Sequence, residues 1–212
     1  MLTAFALSED PEEALSIAAD HAPYLAKLLG QGFETLNPRE LLASAHDLCD
    51  QASRDGGDAH RDLRLAKQRA HLAIAAADLS GQATLEETTF EITRFADAAV
   101  EAALQAALRE KSLQVNGLFV AALGKMGAHE LNYSSDIDVA AFFDPDVFQG
   151  GDYEAAEAAA RTIRNMTSLL QDRTRDGYVF RTDLRLRPDP SSTPVAVSTR
   201  RAELYYESIG QN

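Results

Sequence analysis

Three aspartates stand where they could manage charge at a phosphorus atom. In Asp136-Ile137-Asp138-Val139 two carboxylates lie two residues apart. Side chains alternate along a strand, so Asp136 and Asp138 face one side, with Cα atoms roughly 7 Å apart. Ile137 and Val139 then face the core. Two carboxylates on one face are costly unless something positive sits between them. Mg²⁺ suits that place, with Mn²⁺ as a substitute, because hard oxygen ligands hold it while substrate phosphates and water complete its shell. Asp183, in Tyr178-Val179-Phe180-Arg181-Thr182-Asp183-Leu184-Arg185-Leu186-Arg187, can complete a metal-binding triad. Alternation puts Arg181, Asp183, Arg185 and Arg187 on one face of that segment, where the arginines can hold phosphate oxygens.

An isolated Asp-x-Asp is common on solvated strands, and its surroundings give this one its weight. Gly124-Lys125-Met126-Gly127 follows an apolar run, Leu118 to Leu123. Glycines at Gly124 and Gly127 let a phosphate approach backbone N–H groups, and Lys125 can add charge. The pattern does not match a Walker phosphate loop, which needs Gly-Lys-Ser/Thr after four variable residues. Asn132, Ser134 and Ser135 place small polar groups just before the carboxylates. Together these parts describe a metal-dependent nucleotidyltransferase site. One or two metals on Asp136 and Asp138 would stabilise both the attacking and the leaving oxygen of an in-line displacement. Asp183 would complete a metal site or orient the nucleophile.

The elements that must carry these residues divide the chain in two. Up to about residue 110 it reads as helices. Asp10-Pro11-Glu12-Glu13 and Asn37-Pro38-Arg39-Glu40 each offer an N-cap, a proline at the first helical position and an acidic first turn. Thr84-Leu85-Glu86-Glu87 is a capping box. Arg54 to Asp58 is a glycine-containing loop. Apolar stripes run through Leu63, Ala66, Ala70, Ala73, Ile74 and Ala77, and through Leu85, Thr88, Ile92, Phe95, Ala99, Ala103 and Leu104. From residue 111 to 212 the texture is α/β. Leu118–Leu123 reads as a buried strand and Asp136–Phe143 as a second. Gly150-Gly151 is a loop, and Tyr153–Asp172 is a helix with Ala156, Ala159, Ile163, Met166 and Leu170 on one face. Tyr178–Leu186 is a third strand, and Val195-Ala196-Val197 extends the sheet. The expected fold is α+β: a helical region followed by a mixed β-sheet core of nucleotidyltransferase type with flanking helices.

Composition narrows the function classes. The 212 residues carry 33 acidic and 20 basic side chains, a formal net charge of −13. Such a surface repels nucleic acid and anionic lipid, so any anionic substrate needs local arginines or a metal. The single cysteine, Cys49, lies in an apolar helical stretch and reads as a buried structural thiol, compatible with a reducing cytoplasm. No apolar run is long enough to span a membrane, and the N-terminus lacks a basic leader. His21, His46, His60 and His71 are scattered and show no metal-ligand spacing. His129 reads as structural.

The segment Gly124 to Asp138, and with it Asp183-Leu184-Arg185-Leu186-Arg187-Pro188, resembles the motifs of the glutamine synthetase adenylyltransferase/adenylyl-removing family. Leu63 to Leu108 resembles the helical region that precedes them. Members are long proteins with two similar nucleotidyltransferase halves. One attaches AMP from ATP to a tyrosine of glutamine synthetase; the other removes it by phosphorolysis and releases ADP. Met1 and the stretch His21 to Leu29 resemble the N-terminal, adenylyl-removing half. The resemblance implies a role in nitrogen metabolism, with glutamine synthetase, a nitrogen-status signal protein and the rest of the parent chain as partners. The catalytic core then reads as truncated near residue 212. Two other readings stand beside this one: forward transfer from ATP, and a non-catalytic module that binds nucleotide or a regulatory partner.

Overall fold

The computed structural model describes residues 6–33, 36–54, 56–111, 113–148 and 152–209. The expected glycine loop at Gly150-Gly151 and Asp55 of the Arg54–Asp58 loop lie outside them.

Five helices come first: α1 (Pro11–Ala19), α2 (Pro23–Leu29), α3 (Pro38–Ala52), α4 (Ala59–Leu79) and α5 (Leu85–Arg109). Their starts follow local chemistry. The Asp10 side chain accepts hydrogen bonds from the backbone N–H groups of Glu12 and Glu13, and Asn37 does the same for Arg39 and Glu40. Thr84 and Glu87 form a reciprocal capping box. Cys49 is buried on α3, and burial pushes its thiol up to about 12, so it stays protonated.

Helix α4 is buried on two sides rather than along one stripe. Leu63, Ala66, Ala70 and Ile74 join the main core, while Leu72, Ala73, Ala75 and Ala76 join a second cluster with Leu15, Leu28 and Leu41. The expected stripe on α5 is buried except at Leu85, its first residue, which is 71 % exposed. Six alanines between Ala96 and Ala107 are buried there, and such small side chains allow neighbouring helices to approach closely.

The remaining elements are β1 (Leu118–Leu123), the one-turn α6 (Gly124–Gly127), β2 (Ile137–Phe143), α7 (Asp152–Gln171), β3 (Thr182–Asp183), β4 (Ala196–Ser198) and α8 (Thr199–Ile209). β1 lies antiparallel to β2. The other side of β2 is shared in series: β3 pairs parallel with its start and β4 parallel with its end. Helix α7 connects β2 to β3 and buries Ala159, Ile163, Met166 and Leu170. The result is α+β, with helices preceding a small mixed sheet.

Two expectations need correction. Leu118–Leu123 is an edge strand, not a buried one. Among the described residues it pairs only with β2, and Phe119 is half exposed while stacking on Phe142. The strand expected over Tyr178–Leu186 contracts to Thr182–Asp183. Before it, the N–H groups of Val179 and Phe180 are drawn to the carbonyl of Leu170 at the end of α7. After it, the Asp183 carboxylate caps the Arg185 N–H at 2.8 Å and turns the chain.

Candidate active site

Asp138 occupies the centre of the sheet edge. It is the register partner of Asp183 on β3 and of Leu123 at the end of β1. Cross-strand partners in a parallel pair project from the same face about 4.8 Å apart. Asp136 lies just before β2 and is exposed. The backbone N–H of Ile137 donates to the Arg181 carbonyl at 2.9 Å, which ties the Asp136–Asp138 segment to the Arg181–Asp183 segment.

Gly124 follows β1 with φ +52, a conformation that disfavours residues with a side chain. A Cβ there would lie 2.5 Å from Oδ2 of Asp138, so the glycine is what leaves room for that carboxylate. Gly127 is required by packing, because a Cβ would meet the Ala122 carbonyl at 2.8 Å. These two glycines bound a single helical turn rather than an open loop. Lys125 is exposed on that turn. His129 also has positive φ, and its ring packs against Phe90.

The two serines sit differently. Oγ of Ser135 accepts from the Asn132 N–H at 3.1 Å, and Oδ1 of Asn132 accepts from the Ser134 N–H at 3.0 Å, so both side chains shape the turn into β2. The Ser134 carbonyl accepts from Nη2 of Arg181 at 2.9 Å.

Each outer carboxylate faces an arginine. Nε of Arg181 donates to Asp136. Nε of Arg185 bridges both oxygens of Asp183, at 3.0 and 2.9 Å. Hydrogen bonds from the Arg185 side chain and backbone hold the Asp183 carboxyl below the usual carboxylate range. In return, Asp183 raises the Arg185 guanidinium, with further help from the charges of Asp138 and Asp136. Arg185 therefore feels all three aspartates. Arg187 is engaged elsewhere: its guanidinium donates to the carbonyls of Leu184, Pro190, Thr193 and Pro194, closing the loop that leads to β4.

Among the described residues no three His, Cys, Asp or Glu side chains stand close enough together to hold one metal ion. Mg²⁺ does not require three, since one or two carboxylates with phosphate oxygens and water suffice. Asp138 and Asp183 supply such a pair. The arginine side chains beside the outer carboxylates are largely exposed and can swing away at little cost. The residues present fit such an ion.

Two cations that sequence patterns do not single out also border this region. Arg64, fully buried on α4, donates to the carbonyls of His60, Leu169, Asp172 and Gly177. Lys67, one turn further, donates to the Val179 carbonyl at 2.6 Å. Both hold the segment that leads into β3. Their side chains read as ordinary helix-surface charges until the fold brings the 172–179 turn against them.

A family profile described as glutamate-ammonia ligase adenylyltransferase matches residues 12–212. Three similar proteins bear the name bifunctional glutamine synthetase adenylyltransferase/adenylyl-removing enzyme. One from Caulobacter vibrioides is 42% identical over 90% of this chain and 22% of its own length. One from a Bradyrhizobium species is 41% identical over 95% of this chain and 23% of its own. One from Mesorhizobium japonicum is 46% identical over 71% of this chain and 17% of its own. The chain thus spans about a fifth of the length of the curated relatives it matches. Among the described residues no helix is long and apolar enough to cross a membrane. On the extent of these matches, the chain belongs to the glutamate-ammonia ligase adenylyltransferase family.

Proposed function

We propose that this chain is the adenylyl-removing nucleotidyltransferase unit of a longer glutamine synthetase adenylyltransferase/adenylyl-removing enzyme. The carrying observation is the placement of Asp138 and Asp183 side by side on parallel strands, with Asp136 two residues upstream. Assignment to the removing half rests on the resemblance of His21 to Leu29 to the N-terminal region of the family. The reaction is phosphorolysis. An oxygen of inorganic phosphate attacks the adenylyl phosphorus, the bond from phosphorus to the tyrosyl oxygen breaks, ADP forms, and the tyrosine takes up a proton.

Asp138 and Asp183, with Asp136, would hold Mg²⁺. The ion would supply charge neutralisation on the phosphoryl oxygens. The protein residues orient the reactants. Gly124 leaves the Asp138 carboxylate free of contact with a Cβ. Arg181 and Arg185, released from their carboxylates, offer planar donors to phosphate oxygens. Lys125, Gly127, Ser134 and Ser135 border the same edge. Arg187 keeps the following loop closed.

The test is ADP release from adenylylated glutamine synthetase in phosphate and Mg²⁺, run with the full-length parent beside AMP incorporation from ATP. Asp136→Ala or Asp138→Ala should abolish release and spare incorporation. Loss of incorporation with retained release would assign this unit to the forward reaction. Loss of neither would make it a non-catalytic module.

A further inference from the structure

A cleft of about 490 Å³ lies between helices α2 and α4 and the Arg173–Tyr178 turn, and it reaches the active-site edge at Ser134 and Arg181. That volume is in the range of small-molecule sites. Its lining includes six cations: Lys27, Arg64, Lys67, Arg173, Arg175 and Arg181. Asp176 is the one carboxylate on the lining among the described residues, and it pairs with Arg175 at 3.5 Å. In a chain of net charge −13 this is a concentrated reversal of sign.

Arg181 and Arg175 have carboxylate partners, but Lys67 in the same wall is under-compensated. Nζ of Lys67 lies 4.4 Å from the centre of the Tyr178 ring, and the guanidinium of Arg173 lies 5.6 Å from the same centre. Two like charges thus converge on one ring. The hydrogen-bond partners of Lys67 are neutral carbonyls. Burial pulls its ammonium down to about 8, and the charges that lower it further are Arg181 and Arg64, both cations. Even a half-buried ammonium among cations is costly unless an anion joins it. A second, independent sign comes from His71, which lines the cleft and is 2% exposed. Its Nδ1 meets the Tyr24 hydroxyl at 3.3 Å, while its buried Nε2 has no hydrogen-bond partner.

We propose that this cleft binds the phosphate oxyanion of a small molecule, with Lys67 and Arg173 as its principal contacts and the tyrosines as walls. The inference goes beyond the reading above, because it requires neither a metal nor a direction of reaction. Two sources share the chemistry: inorganic phosphate, and the terminal phosphate of a nucleotide.

Calorimetric titration in EDTA, at matched ionic strength, separates them. Inorganic phosphate is one titrant and ADP the other. Binding of phosphate assigns the free anion; binding of ADP alone assigns the nucleotide. With whichever binds, Lys67→Met and Arg173→Gln should each weaken affinity about tenfold or more, the worth of one charge-assisted hydrogen bond. Asp138→Asn should leave it unchanged, since that residue lies outside the cleft. If Lys67→Met fails to fold, the exposed Arg173 decides alone. The proposal is overturned if neither titrant binds in EDTA, if Arg173→Gln binds as tightly as the parent, or if Asp138→Asn removes the binding. None of these results alters the adenylyl-removal assay, so the two readings fail separately.

Discussion

Asp138 and Asp183 are register partners on adjacent parallel strands, and the guanidinium of Arg185 folds back onto the Asp183 member of the pair. Two carboxylates held this close on one face repel each other when no cation lies between them.

Removing one charge should therefore stabilise the metal-free fold while destroying function. Asp138→Asn is expected to raise stability in EDTA by about 0.5 kcal/mol, roughly 1–2 °C in a chain of this size. The same change should lower the rate of ADP release from adenylylated glutamine synthetase by about a hundredfold or more. Thermal melts beside the release assay check both. A drop in melting temperature would mean that the Asp138 carboxylate is compensated within the fold.

Gly124→Ala tests the room left for that carboxylate. The positive φ disfavours alanine by about 1–2 kcal/mol, and the new Cβ would stand 2.5 Å from Oδ2 of Asp138. Part of the cost should vanish when Asp138 is already alanine. A double-mutant cycle in urea measures this coupling, expected at about 1 kcal/mol. Strict additivity would show that only the backbone matters.

Arg64→Leu should be among the most damaging single changes. It removes the donor that the carbonyls of Leu169 and Asp172 share, while Gly177 keeps its bond from the Thr174 N–H. Buried acceptors left unsatisfied cost about 1–3 kcal/mol each, so a loss of about 10 °C in Tm is expected. Circular dichroism melts decide it. A loss of only a degree or two would mean that water replaces the guanidinium.

The pH dependence of stability should carry a signature of Lys67. Burial lowers its folded pKa to about 8, below the unfolded value of about 10.4. Between these values the unfolded chain binds more protons, so this group makes stability rise with pH. Below about pH 8 the burial penalty is fully present. The stability of the parent relative to Lys67→Met should therefore climb from pH 8 to about 10.4, measured by urea denaturation at each pH. A flat difference would place the ammonium in a better-compensated environment.

Arg185→Ala should be milder than either aspartate change. The side chain is largely exposed, and Arg181 remains to meet phosphate. We expect a few-fold loss in ADP release, within the range of one exposed charged contact. A loss equal to that of Asp138→Ala would mark Arg185 as indispensable to the chemistry.

The helix starts at Asp10, Asn37 and Thr84, the course of β2 to Phe143 (one residue short of the expected start at Asp136) and most of the expected buried face of α7 were legible in the sequence. Each depends on hydrogen bonds or spacing within a few residues, and such signals survive in a linear string. The aspartate motifs and the family resemblance were legible in the same way. What the linear pattern could not supply is how far each periodicity runs. Alternation alone extends the third strand to Leu186, but the carbonyl of Leu170 and the cap made by Asp183 end it on either side. Arg187 matched Arg181 and Arg185 by parity, yet its guanidinium meets four carbonyls of its own loop. The burial of α4 on both sides, and the cationic cleft beside it, come from contacts such as Arg64 with Gly177, 113 residues apart. Closing a loop of that length carries no local signature. Only tertiary packing brings a helix-surface cation to the carbonyls and rings that give it a role.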